Sequence, residues 1–211
     1  MTRVVVRFTV YLTALFGAAL YGICFLQRSE TAATDSLFMP PPGCLAPCWE
    51  GIRPGVTSAD EAFAILARHP WVDDVSAGDK DKLYGVITWQ WSGRQPVYIN
   101  THAESVLYVM DGVVDRVQIQ TTLAFGDVWL LLGQPERGGF AYSTGPGILH
   151  PTEHIADYTD SGVAFFSPLD CHDFWRQRAN VVIRSALTFD NSLLRDYDLL
   201  DYRLASCHDG E

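Results

Sequence analysis

Residues 106–121, VLYVMDGVVDRVQIQT, decide how this chain folds. Two apolar-rich runs flank Asp111-Gly112, a dipeptide that accepts the positive φ angles of a tight primed turn. The second run alternates. Val117, Ile119 and Thr121 point one way, Arg116, Gln118 and Gln120 the other. Successive side chains of a strand lie on opposite faces, so one side of this sheet meets a core and the other meets water. Upstream, residues 83–92 alternate as well, with Ile87, Trp89 and Trp91 on one face. Ser92-Gly93-Arg94 then turns the chain into a further strand over 97–100.

A helix start precedes these strands. Pro54-Gly55 is a turn signal, and Ser58-Ala59-Asp60-Glu61 is a capping box in which hydroxyl and carboxylate each satisfy a backbone donor. Ala59, Ala62, Phe63 and Leu66 recur at helical spacing until His69-Pro70, where the residue before proline is pushed out of helical space. The pattern then repeats. Residues 126–132 read as a short apolar helix closed by Gly133, with Pro135 beyond it. Strands follow over 140–143, 155–158, 163–167 and 181–188. Leu193, Tyr197, Leu200 and Leu204 give residues 191–206 the stripe of a terminal amphipathic helix. The order is helix, four strands, helix, four strands, helix. Runs of strands after each helix predict an α+β fold with antiparallel sheets, built as two tandem α-ββββ repeats.

Compare PGVTSADEAFAIL (54–66) with LAFGDVWLLLGQP (123–135): each is a turn feeding a short helix. Gly126-Asp127-Val128 through Leu132-Gly133-Gln134-Pro135 resembles the helix of outer-membrane assembly lipoproteins of the BamE/SmpA type. It also resembles the tandem repeats of β-lactamase-inhibitor-like domains. The likeness covers about 15 residues per repeat. It implies small helix-on-sheet modules that bind other proteins and have no active site. CLAPCWEGIRPGVT (44–57) resembles the openings of bacterial exported proteins, which adds no function.

At the other end of the chain, residues 8–26, FTVYLTALFGAALYGICFL, carry no charge over 19 positions. A helix of that length reaches roughly 28 Å, about one hydrocarbon core. The expectation is a retained transmembrane signal anchor over 1–28. A cleaved signal ending near Thr31-Ala32-Ala33 and a lipoprotein signal at Cys24 are the alternatives. Arg3 and Arg7 precede the run while Arg28 follows with Glu30 close by, so the N-terminus is expected in the cytoplasm and the rest outside. Residues 29–47 read as a tether, proline-rich at Pro40-Pro41-Pro42. The first α+β unit then spans 48–121, the second 122–189, and a C-terminal helix and tail 190–211.

Three of the 15 basic residues lie at or before Arg28, leaving 12 against 25 acidic ones, a formal −13 for the part beyond the anchor. That sign argues against nucleic acid and anionic lipid headgroups as partners. Cys44, Cys48, Cys171 and Cys207 form an even set on the outer side, where disulfides persist. Cys44–Cys48 with Cys171–Cys207 is the favoured pairing. Free thiols and a zinc site using the neighbouring His172 and His208 stay open.

Few groups could carry chemistry. His150-Pro151-Thr152-Glu153-His154 spells H-x-x-E-H, in which a helix would set both histidines on a zinc and the glutamate beside a bound water. Pro151 and the nearby Gly145-Pro146-Gly147 make a loop the plainer reading. Trp89 and Trp91 share a strand face and could grip a sugar, or could be core under a helix. Asp73, Asp74, Asp79, Asp81, Asp196 and Asp198 lack the spacing of a calcium loop. No cofactor motif occurs. The expected product is a membrane-anchored, extracytoplasmic, non-enzymatic module binding a protein or envelope component. The alternatives are carbohydrate binding through Trp89 and Trp91, and a zinc hydrolase through His150, Glu153 and His154.

Overall fold

A computed structural model describes residues 7, 11–19, 21–22, 40–78, 84–145, 148–170, 173–184 and 194–200, with backbone alone at 142–145 and 148–152. Met1–Leu37 and Phe38–Glu211 are two compact units. In the first, residues 11–19 form helix α1 and residues 21–22 are helical. Tyr11, Leu15 and Phe16 on it are exposed. Among the described residues no helix is long and apolar enough to cross a membrane. The spanning helix expected over 8–26 therefore has no support from them.

Among the described residues the second unit holds a nine-stranded, wholly antiparallel sheet and the helices Ala59–Leu66 and Phe125–Leu132. Helix α2 (Ala59–Leu66) is followed by β1 (Val72–Ala77), β2 (Tyr84–Trp91), β3 (Ser105–Met110) and β4 (Val113–Ile119). Helix α3 (Phe125–Leu132) is followed by β5 (Arg137–Gly145), β6 (Ile148–Tyr158), β7 (Val163–Pro168) and β8 (Asn180–Arg184). A 3-10 turn, Phe174–Arg176, precedes β8, and β9 (Arg195–Asp196) adds a last short strand. The strand order is β1-β2-β3-β4-β8-β7-β6-β5-β9, so the two groups of four meet through their final strands. Each helix is pinned alike to the last strand of its own group. Val114 N donates to Thr57 O and Ala59 N to Gly112 O; Ala179 N donates to Leu123 O and Phe125 N to Gln177 O.

Local chemistry accounts for these elements. Ser58 Oγ accepts from Glu61 N at 3.3 Å at the start of α2. In α3 the reciprocal half of the motif appears, with Ala124 N donating to Asp127 Oδ2 at 3.0 Å. Asp111 and Gly112 take φ of 51° and 76°, both positive, as a primed hairpin turn requires. Gly133 closes α3 at φ 78°. The disulfide Cys44–Cys48 is present, with Cα atoms 6.1 Å apart. Cys24, Cys171 and Cys207 lie outside the described residues, so the second pairing does too.

Three segments differ from the sequence reading. Residues 97–100 form a turn with one bridge, Ile99 to Thr121, rather than a strand. Ile99 N is taken up by Pro96 O within that turn. The missing member is β1, whose Asp73 and Asp74 hid it; it lies at the sheet edge with a bulge between Val72 and Asp74, where polar side chains reach water. In the terminal segment, Arg195 and Asp196 pair with Gly138 and Arg137 as β9. The described part of the expected helix 191–206 thus begins as a strand, and helical backbone appears only at 199–200.

Candidate functional site

The register assigns every side chain to one of two faces. A row running Ile87, Leu107, Val117, Ile183, Val163 and Tyr158 crosses six strands, and all six are buried. Trp49, ahead of α2, and Phe125, in α3, both pack on this face. Trp49 stacks on Trp89 with centroids 5.6 Å apart, and Phe125 of α3 meets His154 edge-on at 4.9 Å. Burying side chains of this size contributes about 1.5–3 kcal/mol apiece, so this face is where the fold gains its stability.

The neighbouring row on the opposite face runs Ser76, Thr88, Val106, Gln118, Val182, Ala164, Asp157, Arg137 and Asp196, across all nine strands. At the β8–β7–β6 end, Val182, Ala164 and Asp157 are buried, and Asp157 Oδ1 accepts from Arg184 at 2.7 Å. At the β1–β4 end the face is open. Tyr84 is 70% exposed, and Val86 and Met110 are exposed beside it. Arg116 lies 4.2 Å over the Tyr108 ring and 3.2 Å from Asp115. Two depressions flank these groups. One, of about 460 Å³, is lined by Asp74, Ser76, Thr88, Gln90, His102 and Glu104 near the sheet edge. The other, of about 250 Å³, lies at the β4–β8 seam between Arg116, Gln118, Glu153, Phe166, Asn180 and Val182. Burial raises the Glu153 carboxyl above its ordinary value.

The H-x-x-E-H sequence does not bring Glu153 and His154 to one metal. It lies in strand β6, not on a helix or in a loop. Glu153 pairs with Pro168 and His154 with Ser167, so their side chains leave opposite faces of the sheet. Glu153 reaches the seam depression, while His154 is wholly buried on the helix face with its Nε2 3.0 Å from Tyr197 Oη. Desolvation lowers the His154 pKa to about 3, keeping the ring neutral. The His150 side chain lies outside the described residues. Pro151 fits a strand here because β7 stops pairing at Glu153 and a register shift falls opposite, between Ala141 and Tyr142. Among the described residues no three His, Cys, Asp or Glu groups converge as metal ligands.

Of the tryptophan pair, Trp89 is core and Trp91 is half-buried. Trp89 is 3% exposed, packed between Trp49 and the edge of Trp91. The two rings therefore do not form one open platform; both border the larger depression, where Trp91 alone is partly accessible. No family model matches this chain, and no curated protein or solved structure matches it significantly.

Sequence reasoning missed the seam depression. Its residues come from four strands, and the signal available was the polar run Arg116, Gln118 and Gln120 on the wet face.

Proposed function

We propose that this chain is a non-enzymatic module that docks a protein of the cell envelope on the open face of its sheet. The observation that carries the reading is one-sidedness: helix α3 and the aromatic core lie on one face, while Tyr84, Val86, Tyr108 and Arg116 stand on the other. Interfaces favour Tyr, Met and Arg at their centre, and this face offers all three. The mirrored strand order supports reading the domain as two α-ββββ repeats fused through β4 and β8, as the helix-on-sheet binding modules it resembles would be. The uncharged run 8–26 supports a membrane tether with the N-terminus in the cytoplasm and the domain outside, the setting in which Cys44–Cys48 stays oxidised.

The test is a photo-crosslinking amino acid placed at Tyr84 or Tyr108, and in parallel at exposed Asp60 of α2, in the cell that makes the protein. Discrete protein adducts from the sheet positions, absent from Asp60, are expected. Adducts from Asp60 alone, or none at all, would overturn the reading.

A further inference from the structure

We infer that the depression at the β4–β8 seam is the socket for an arginine side chain of the protein partner, with Glu153 as its counter-ion. The inference rests on the sheet-face docking proposed above and names the chemistry at its centre. The cavity, of about 250 Å³, is the size of one long side chain. Phe166 and Val182 give it an apolar wall, and the Gln118 and Asn180 amides can each turn a carbonyl oxygen inward.

Glu153 makes no hydrogen bond or ion pair with any described residue, although it is half-buried. A carboxylate losing solvation without a partner among the described residues is costly, and an arriving cation replaces what is lost. The cation already nearby is committed elsewhere. Arg116 is held by Asp115 at 3.2 Å and by the Tyr108 ring. Guanidinium suits the socket better than ammonium, because it can bind a carboxylate with two parallel bonds and stack on Phe166. The net charge of −10 favours a basic partner at longer range.

The probe is N-acetyl-L-arginine amide titrated into the full chain, read by the NMR side-chain amide signals of Gln118 and Asn180. N-acetyl-L-glutamate amide serves as the acidic comparison. Saturable shifts with arginine, in about the millimolar range for so small a probe, are expected. In Glu153→Gln the affinity should fall about tenfold or more, while Glu104→Gln in the other depression leaves it unchanged. Shifts that persist in Glu153→Gln, a stronger response to glutamate than to arginine, or no response would each overturn the socket. An arginine response in a protein whose Tyr84 and Tyr108 positions yield no adduct keeps the socket and removes the docking reading. Adducts without an arginine response do the reverse.

Discussion

His154 shows how far a residue's surroundings decide its role. Ring packing by Phe125 and Phe174 at 4.9 and 5.2 Å and the bond to Tyr197 fix it in the core. Because its folded pKa, about 3, lies below the unfolded value near 6.5, the unfolded chain takes up a proton first as pH falls. Stability from this group is complete above pH 6.5 and declines toward pH 3, by up to about 1.4 kcal/mol per pH unit. Glu153 acts with opposite sign. Its raised pKa means a contribution present below the unfolded value near 4.5 and lost as pH rises through the folded one. Urea unfolding between pH 7 and 4 should therefore show a shallower loss in His154→Phe than in the native chain; equal slopes would refute the burial argument. Asp157 and Arg184 are a second buried pair, with side chains 2% and 6% exposed. Arg184→Met alone should cost about 3–5 kcal/mol by stranding the carboxylate, and adding Asp157→Leu should recover most of it. A double variant no more stable than the single one in urea unfolding would contradict this. None of these pairings was legible in the sequence, since each joins residues brought together only by sheet register.

Elements were legible where local signals agree. Ser58 with Glu61 and Asp111-Gly112 both specify backbone states that need no distant partner, and both are found. Helix α3 and strands β3, β4 and β7 were legible for the same reason. The failures follow from context. Strand β1 carries two aspartates because an edge strand wets one side, and the 150–154 stretch reads as a loop because Pro151 and Gly145-Pro146-Gly147 argue against a helix and leave the strand unmarked. Tyr197 belongs to a helical stripe on paper, yet it packs beside a two-residue strand. Glycine supplies a test at this scale. Gly162, in the β6–β7 turn, has φ 68°, and a Cβ there would sit 2.6 Å from Pro47 Cβ. Gly93 has φ 87° but open space around it. Both alanine variants meet left-handed strain of about 1–2 kcal/mol. Gly162→Ala should cost more and lower the melting temperature further, by several degrees. Equal shifts for the two would show that the Pro47 contact does not matter.

Within residues 38–211 one sheet joins two groups of four strands through the β4–β8 pair, so one face can bury aromatic clusters while the other is open at its β1–β4 end. That one sheet carries both halves could not be read from the repeat, because two separate sheets would give the same order of elements. The wet side of the hairpin did announce an open face, through Arg116 and Gln118. What it could not announce was that β8, β7 and β6 would bring Asn180, Phe166 and Glu153 beside them. The site lives at this scale.

Hydroxyl-radical footprinting of intact cells against the purified protein reads docking on the sheet face in place. Tyr84 and Met110 report on the sheet face, and Leu130, 84% exposed on α3, reports on the helix side. Tyr84 and Met110 should be protected in cells while Leu130 oxidises equally in both. Equal oxidation of Tyr84 and Met110 in the two samples, with Leu130 protected instead, would contradict docking there.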